Sequence, residues 1–210
     1  PATKSKEVGA LRSEIRHSAL PIPHSTLAQT VRVSHPPPML AATAALKKLL
    51  LEKSVRTGNF TLASGKQSDL YIDCRVTALD PFGANLIGDL GWHAVRSKIH
   101  SEHLKIDAIG GMTLGADPIS LSVGMTSATK HPDEALQVFT VRKEPKGHGA
   151  GKQIEGNFKS GQNVIVVDDV ITTGGSTLKA IDAIEREGGK IAFCLVLVDR
   201  EEGGRQAIEA

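Results

Sequence analysis

Between Val164 and Thr177 the chain reads VIVVDDVITTGGST. Apolar β-branched residues run into two adjacent carboxylates, Asp168 and Asp169. A turn then supplies the hydroxyls of Thr172, Thr173, Ser176 and Thr177 around Gly174 and Gly175. The LKAIDAIEREGG that follows reads as a helix. A strand, a glycine-rich turn and a helix make a phosphate cradle, because backbone N–H groups and the helix N-terminus point at the anion. Adjacent carboxylates do not attract phosphate. They suit the hydroxyls of a sugar, or a metal ion beside it. The combination points to a sugar phosphate with free hydroxyls. A plain turn with a helix cap explains the glycines but not two acids with four hydroxyls.

Strands and helices must carry these groups to one place. AATAALKKLLLEKS has helical spacing and good helix formers, and Gly58 ends the pattern. Phe60 and Leu62, then Leu70 and Ile72, alternate around a turn at Ser64-Gly65, as in two short strands with a tight loop. Pro81 opens a second helix running to about His100, with Asp80 as its N-cap. IDAIGG, QVFTVRK, VIVVDD and IAFCLVLVDR read as strands. A helix follows the loop after Gly110-Gly111, residues 144–157 read as a polar loop, and Leu178–Glu187 as a helix. Strands alternating with helices predict an α/β fold with a mostly parallel sheet. Apolar runs without alternation fit strands buried on both faces. Ligands bind at the carboxyl ends of such strands. Gly110-Gly111, Arg142-Lys143, Asp168-Asp169 and Asp199-Arg200 all fall at strand ends, so four ends converge on one rim.

A chain of 210 residues suits one domain with an appendage. Its 40% apolar and 23% charged residues are ordinary for a globular protein. A net charge of +2 and 3% aromatics argue against nucleic-acid binding. No apolar run approaches the roughly 20 residues that span a bilayer. Cys74 and Cys194 lack metal-ligand spacing, so a reducing, cytoplasmic setting is the default. Residues 1–38 are proline-rich and basic, without apolar periodicity, and read as a largely disordered extension. A transit peptide, or residues upstream of a natural start at Met39, are the other readings. The domain proper is 39–210.

These motifs have a known counterpart. VIVVDDVITTGGST resembles the phosphoribosyl-pyrophosphate (PRPP) signature of type I phosphoribosyltransferases. FTLASGKQSDLYID, VRKEPKGHG and LVDRE resemble further motifs of the orotate phosphoribosyltransferase family. The resemblance runs from about Leu40 to Glu202. It implies a type I phosphoribosyltransferase-like fold with a small N-terminal helix/strand hood. It implies transfer of phosphoribose from PRPP to orotate, giving orotidine 5′-monophosphate and pyrophosphate in pyrimidine biosynthesis. Val170, Ile171, Thr172, Thr173, Gly174, Gly175, Ser176 and Thr177 are then the segment around the 5′-phosphate, and Asp168 and Asp169 face the ribose. Arg142, Lys143, Lys146 and His148 are the implied pyrophosphate contacts, on a glycine-rich flap shared between the subunits of a homodimer. Lys146 is the leading catalytic candidate, with Asp168 and Asp169. Arg200 can grip the orotate carboxylate, Lys66 belongs to a loop packing on the base, and Tyr71 lies behind it. Mg2+ is implied as a companion of the pyrophosphate, with no metal cluster built from protein ligands alone.

Two features depart from the family pattern. Ala63 stands where many members have lysine, and the chain passes from Leu114-Gly115 to Ala116-Asp117-Pro118 without the usual Tyr-Lys pair. Lys66 and the flap are the candidates to replace these cations. Two rival readings stay open: a phosphoribosyltransferase acting on a purine base, and a non-catalytic PRPP-binding regulator.

Overall fold

A computed structural model describes residues 39–61, 67–145 and 152–210. The reading of residues 1–38, and the candidates Lys66, Lys146 and His148, lie outside the described residues. The described elements belong to one unit, Pro37–Ala210. In order they are α1 (Met39–Lys53), β1 (Val55–Thr61), β2 (Gln67–Ile72), α2 (Arg75–Ala78), α3 (Pro81–Ser101), β3 (Ala108–Met112), α4 (Ala116–Lys130), a 3-10 turn (Pro132–Glu134), β4 (Gln137–Val141), β5 (Ile154–Gly156), β6 (Asn163–Ile171), α5 (Gly175–Arg186), β7 (Lys190–Asp199) and α6 (Gly204–Glu209).

The central sheet has the order β5-β4-β3-β6-β7. Its β3–β4, β3–β6 and β6–β7 pairings are parallel, and β5 is antiparallel to β4. β1 and β2 form a separate antiparallel hairpin. This is the expected mostly parallel α/β sheet, flanked by helices. β6 shows why VIVV runs without alternation. Ile165 and Val167 enter one core with Ile109, Val123, Trp92 and Val95. Val164 and Val166 enter the other with Phe139, Ala180 and Ile184. Successive strand side chains point to opposite faces, so a strand covered on both sides must be apolar throughout. Each such side chain stabilises the fold by about 1.5–3 kcal/mol.

Asp80 caps α3 as expected. Its carboxylate accepts the N–H groups of Phe82 and Gly83, each at 3.0 Å, and Pro81 occupies the first turn. Other boundaries differ from the sequence reading. Gly58 lies inside β1, at a register shift between Thr57 and Phe60. Gly110-Gly111 lie inside β3, which runs on to Met112, one residue beyond the end that IDAIGG suggests. A Cβ on Gly110 would strike Phe139, and one on Gly111 the Val167 carbonyl, so these glycines let neighbouring strands pack closely. The 144–157 stretch holds the short strand β5. The helix after β6 begins at Gly175, three residues before Leu178, because Gly174 takes a left-handed conformation (φ 80°) that starts the turn. Among the described residues, no helix is long and apolar enough to cross a membrane.

Candidate active site

The parallel pairings bring the ends of β3, β4, β6 and β7 to one rim. β6 outlasts its neighbour there. Its ladder with β3 stops at Val167, opposite Gly111. Its ladder with β7 continues through Asp168, Val170 and Ile171, opposite Val196, Val198 and Asp199. Asp168 and Asp169 therefore stand inside the strand, just past the last residue of β6 that pairs with β3.

Strand alternation sends the two carboxylates to opposite faces. Asp168 is only 7% exposed. It accepts the Thr177 hydroxyl from α5 at 2.6 Å and the Asp169 N–H at 3.0 Å. Burial pushes its pKa up to about 6. The neighbouring Asp169 charge adds to the rise, and the Thr177 hydrogen bond opposes it. Asp169 lies on the α4 side, where a Cβ on Gly115 would strike its carboxylate. Near it, Asp73 and Arg75 form a two-point ion pair at 2.7 and 2.8 Å. That pair holds the Asp73 carboxyl below its usual range. The thiols flank the carboxylates. Burial, with Asp169 and Asp73 behind it, pushes Cys74 up to about 12, and burial with Asp168 pushes Cys194 up to about 11. Both stay protonated at neutral pH.

The turn after β6 is open. Thr173, Gly175 and Ser176 are exposed, Thr172 is half-buried, and Gly174 and Thr177 are buried. Val170 and Ile171 remain in the strand, and Ile171 is buried. The Arg200 N–H donates to the Ile171 carbonyl at 3.0 Å, tying the end of β7 to this turn. α6 packs beneath it: a Cβ on Gly204 would lie 2.6 Å from the Thr172 carbonyl, and one on Gly174 3.0 Å from the Gly204 carbonyl. Nothing in the sequence reading anticipated this support. The glycine pair Gly203-Gly204 was its available signal.

Arg200 is not a surface charge. Its side chain is 13% exposed, pairs with Glu202 at 2.9 Å and donates to the Ser68 hydroxyl at 3.3 Å. Ser68, on β2, belongs beside it, a partner the motif resemblance does not single out. The alternating exposure of β2 puts Tyr71 on the other face from Ser68, where its ring meets Phe60 at a centroid distance of 5.5 Å. Tyr71 therefore does not join Arg200. Arg142 follows β4, with its guanidinium 3.5 Å from Glu155, and Lys143 beside it is exposed. After β3, Asp117 accepts both the Thr113 and Thr140 hydroxyls at 2.7 Å, pinning the short turn before α4.

The carboxylates are hard oxygen donors of the kind magnesium takes. Among the described residues no three His, Cys, Asp or Glu side chains gather to hold a metal by themselves. This donor set fits an ion carried mainly by the phosphates of a substrate, since magnesium keeps several waters and needs few protein ligands.

Comparison with known proteins agrees with this geometry. Residues 125–208 match the model of the phosphoribosyl transferase domain. An orotate phosphoribosyltransferase of Rhodopirellula baltica is 43% identical over 164 residues, covering 78% of this chain and 84% of that protein. One from Aquifex aeolicus is 41% identical over 167 residues, covering 78% and 87%. Among solved structures, the Mycobacterium tuberculosis orotate phosphoribosyltransferase in complex with Fe(III) dicitrate superposes with a TM-score of 0.65 at 36% identity, over 80% of this chain and 90% of that one. The same enzyme in complex with PRPP gives 0.61 at 32% identity, over 80% and 89%.

Proposed function

The chain belongs to the orotate phosphoribosyltransferase family and transfers the phosphoribosyl group of PRPP to orotate; from that premise we propose how its own residues divide the work. The turn from Thr172 to Thr177 holds the 5′-phosphate through its hydroxyls and backbone N–H groups. Asp169, just past the end of the β3–β6 ladder, takes the ribose hydroxyls. Asp168 adds its charge and orders Thr177. As C1′ becomes cationic, these carboxylates are the nearby anions that favour it.

Orotate's ring nitrogen bonds to C1′ as the bond from C1′ to the pyrophosphate oxygen breaks, with inversion. Arg142, Lys143, Lys146 and His148 receive the growing negative charge of the leaving group, with Lys146 foremost. Were Mg2+ held near Asp168 and Asp169 together with the substrate, it would add charge neutralisation for the leaving group. Arg200 holds the orotate carboxylate by parallel hydrogen bonds, and its ties to Glu202 and Ser68 preset its direction. Lys66 completes the base site. We assign the working form to a homodimer that shares the basic loop, and the reaction to the cytoplasm.

One observation carries this reading: β6 presents two carboxylates past the end of β3 while α5, starting at the phosphate turn, binds the first of them through Thr177. Lys146→Ala tests the leaving-group assignment. Turnover should fall by about 100-fold or more with an unchanged circular dichroism spectrum. Near-normal turnover would remove Lys146 from the mechanism.

A further inference from the structure

Gln153, at the start of the chain leading into β5, is 9% exposed, and each of its polar groups is engaged. Its N–H donates to Glu187 Oε1 at 2.9 Å. Its carbonyl accepts the Arg142 N–H at 2.9 Å. Its Nε2 donates to the Arg142 carbonyl at 2.8 Å, and its Oε1 accepts from Arg186 Nη2 at 3.1 Å. The partners fix the amide orientation, because a guanidinium only donates and a carbonyl only accepts. Glu187 Oε1 also accepts the Ile154 N–H at 3.3 Å.

Three pieces of chain meet here: the end of β4, the start of β5 and the C-terminal end of α5. The β4–β5 ladder itself is short, pairing Phe139, Thr140 and Val141 with Gly156, Glu155 and Ile154. Arg142 sits one residue past it. Both backbone polar groups of Arg142 are held by Gln153, one through the main chain and one through the side chain. Arg186 and Glu187 then fasten Gln153 to α5, whose other end carries the phosphate turn.

We propose that Gln153 is a positioning residue, which fixes Arg142 relative to α5 and so sets the distance between the leaving-group cation and the phosphate turn. This rests on the reading of Arg142 as a pyrophosphate contact. An arginine whose backbone is clamped meets the pyrophosphate without first losing conformational freedom, and binding is stronger for that reason. A lone glutamine in a polar glycine-rich run looks solvated, so this role is not legible in the sequence.

Two substitutions separate the clamp from general packing. Gln153→Leu removes both amide contacts. Gln153→Glu keeps an acceptor for Arg186 but offers no donor to the Arg142 carbonyl. Each should raise KM for PRPP and the inhibition constant of pyrophosphate about tenfold, the scale of one lost buried hydrogen bond, and leave KM for orotate within about twofold. In an Arg142→Ala background, Gln153→Leu should add less than about twofold, because coupled residues are not additive. Should either variant fail to fold, Gln153→Asn, which keeps the amide one carbon shorter, takes its place with the same readouts. Wild-type pyrophosphate affinity in Gln153→Glu overturns the proposal. So does a Gln153→Leu effect undiminished without the Arg142 side chain, while Arg142→Ala itself is impaired. If Arg142→Ala binds pyrophosphate normally, the reading of Arg142 falls and takes this proposal with it.

Discussion

β3 and β6 are neighbouring parallel strands, each followed by a turn and a helix, and both carry glycine pairs near their carboxyl ends. They use the glycines differently. In β3, Gly110 and Gly111 are pressed between Phe139 and Val167, and the turn behind them is pinned by Asp117 to Thr113 and Thr140. In β6, Gly174 and Gly175 come after the strand, with exposed Thr173 and Ser176 around them. One pair brings strands together and the other lies in an open turn. A glycine pair at a strand end is therefore ambiguous alone. The flanking carboxylates and hydroxyls decide what it does.

The largest effect that tests this contrast is on folding. Gly111→Ala would drive a methyl group into a strand carbonyl, and the protein should lose more than about 4 kcal/mol or fail to fold. A soluble variant with a normal melting temperature would refute the packing role. Asp169→Asn comes next. Among the described residues its carboxylate makes no ion pair, so kcat/KM should drop about 100-fold or more at a nearly unchanged melting temperature.

Asp168 has a pH signature. Its folded pKa, about 6, lies above the ordinary 3.8, so between these values the native state binds more protons than the unfolded chain. Stability from this group is present at low pH and is lost as pH rises through about 6, an effect of about 3 kcal/mol by pH 7. Asp168→Asn should melt above wild type at pH 7–8, converge with it near pH 4 and lose activity. An Asn variant less stable at every pH would show that the buried charge is not a cost. Thr177→Val strands that carboxylate and should destabilise by about 1–3 kcal/mol in urea unfolding, with a higher KM for PRPP. Gly175→Ala is the mildest. No atom lies within 4 Å of its Cβ, so it should fold normally and raise only KM for PRPP, by several-fold.

Much of the fold was legible because the strong signals are local. Asp80-Pro81 marked the start of α3, and the strands converging on the rim were set by apolar runs and strand–helix alternation. β5 was not legible: three residues after a glycine- and lysine-rich run have no periodicity, and β5 exists because β4 offers an edge. α6 was missed for a similar reason, since it is held by packing under the phosphate turn. β6 was read as ending at its carboxylates because aspartate is a poor strand former. Pairing with β7 overrides that preference. At the candidate site, residue types drew attention to Asp168, Thr177, Arg142 and Arg200, but not to the pairing of Asp168 with Thr177, of Arg200 with Ser68 or of Arg142 with Gln153, which depend on contacts distant in sequence. Tyr71 shows the limit of motif transfer: the motif located the strand, and only the pleat decided which face the ring takes.

The most direct measurement of the central claim follows orotate absorbance in protein supplied with PRPP and Mg2+, with wild type and Asp169→Asn in parallel. The account predicts PRPP-dependent loss of orotate by wild type, a rate lower by about 100-fold in the variant, and no consumption of adenine under the same conditions. Wild-type protein that binds PRPP yet consumes no orotate, or a variant that turns over normally, would contradict it.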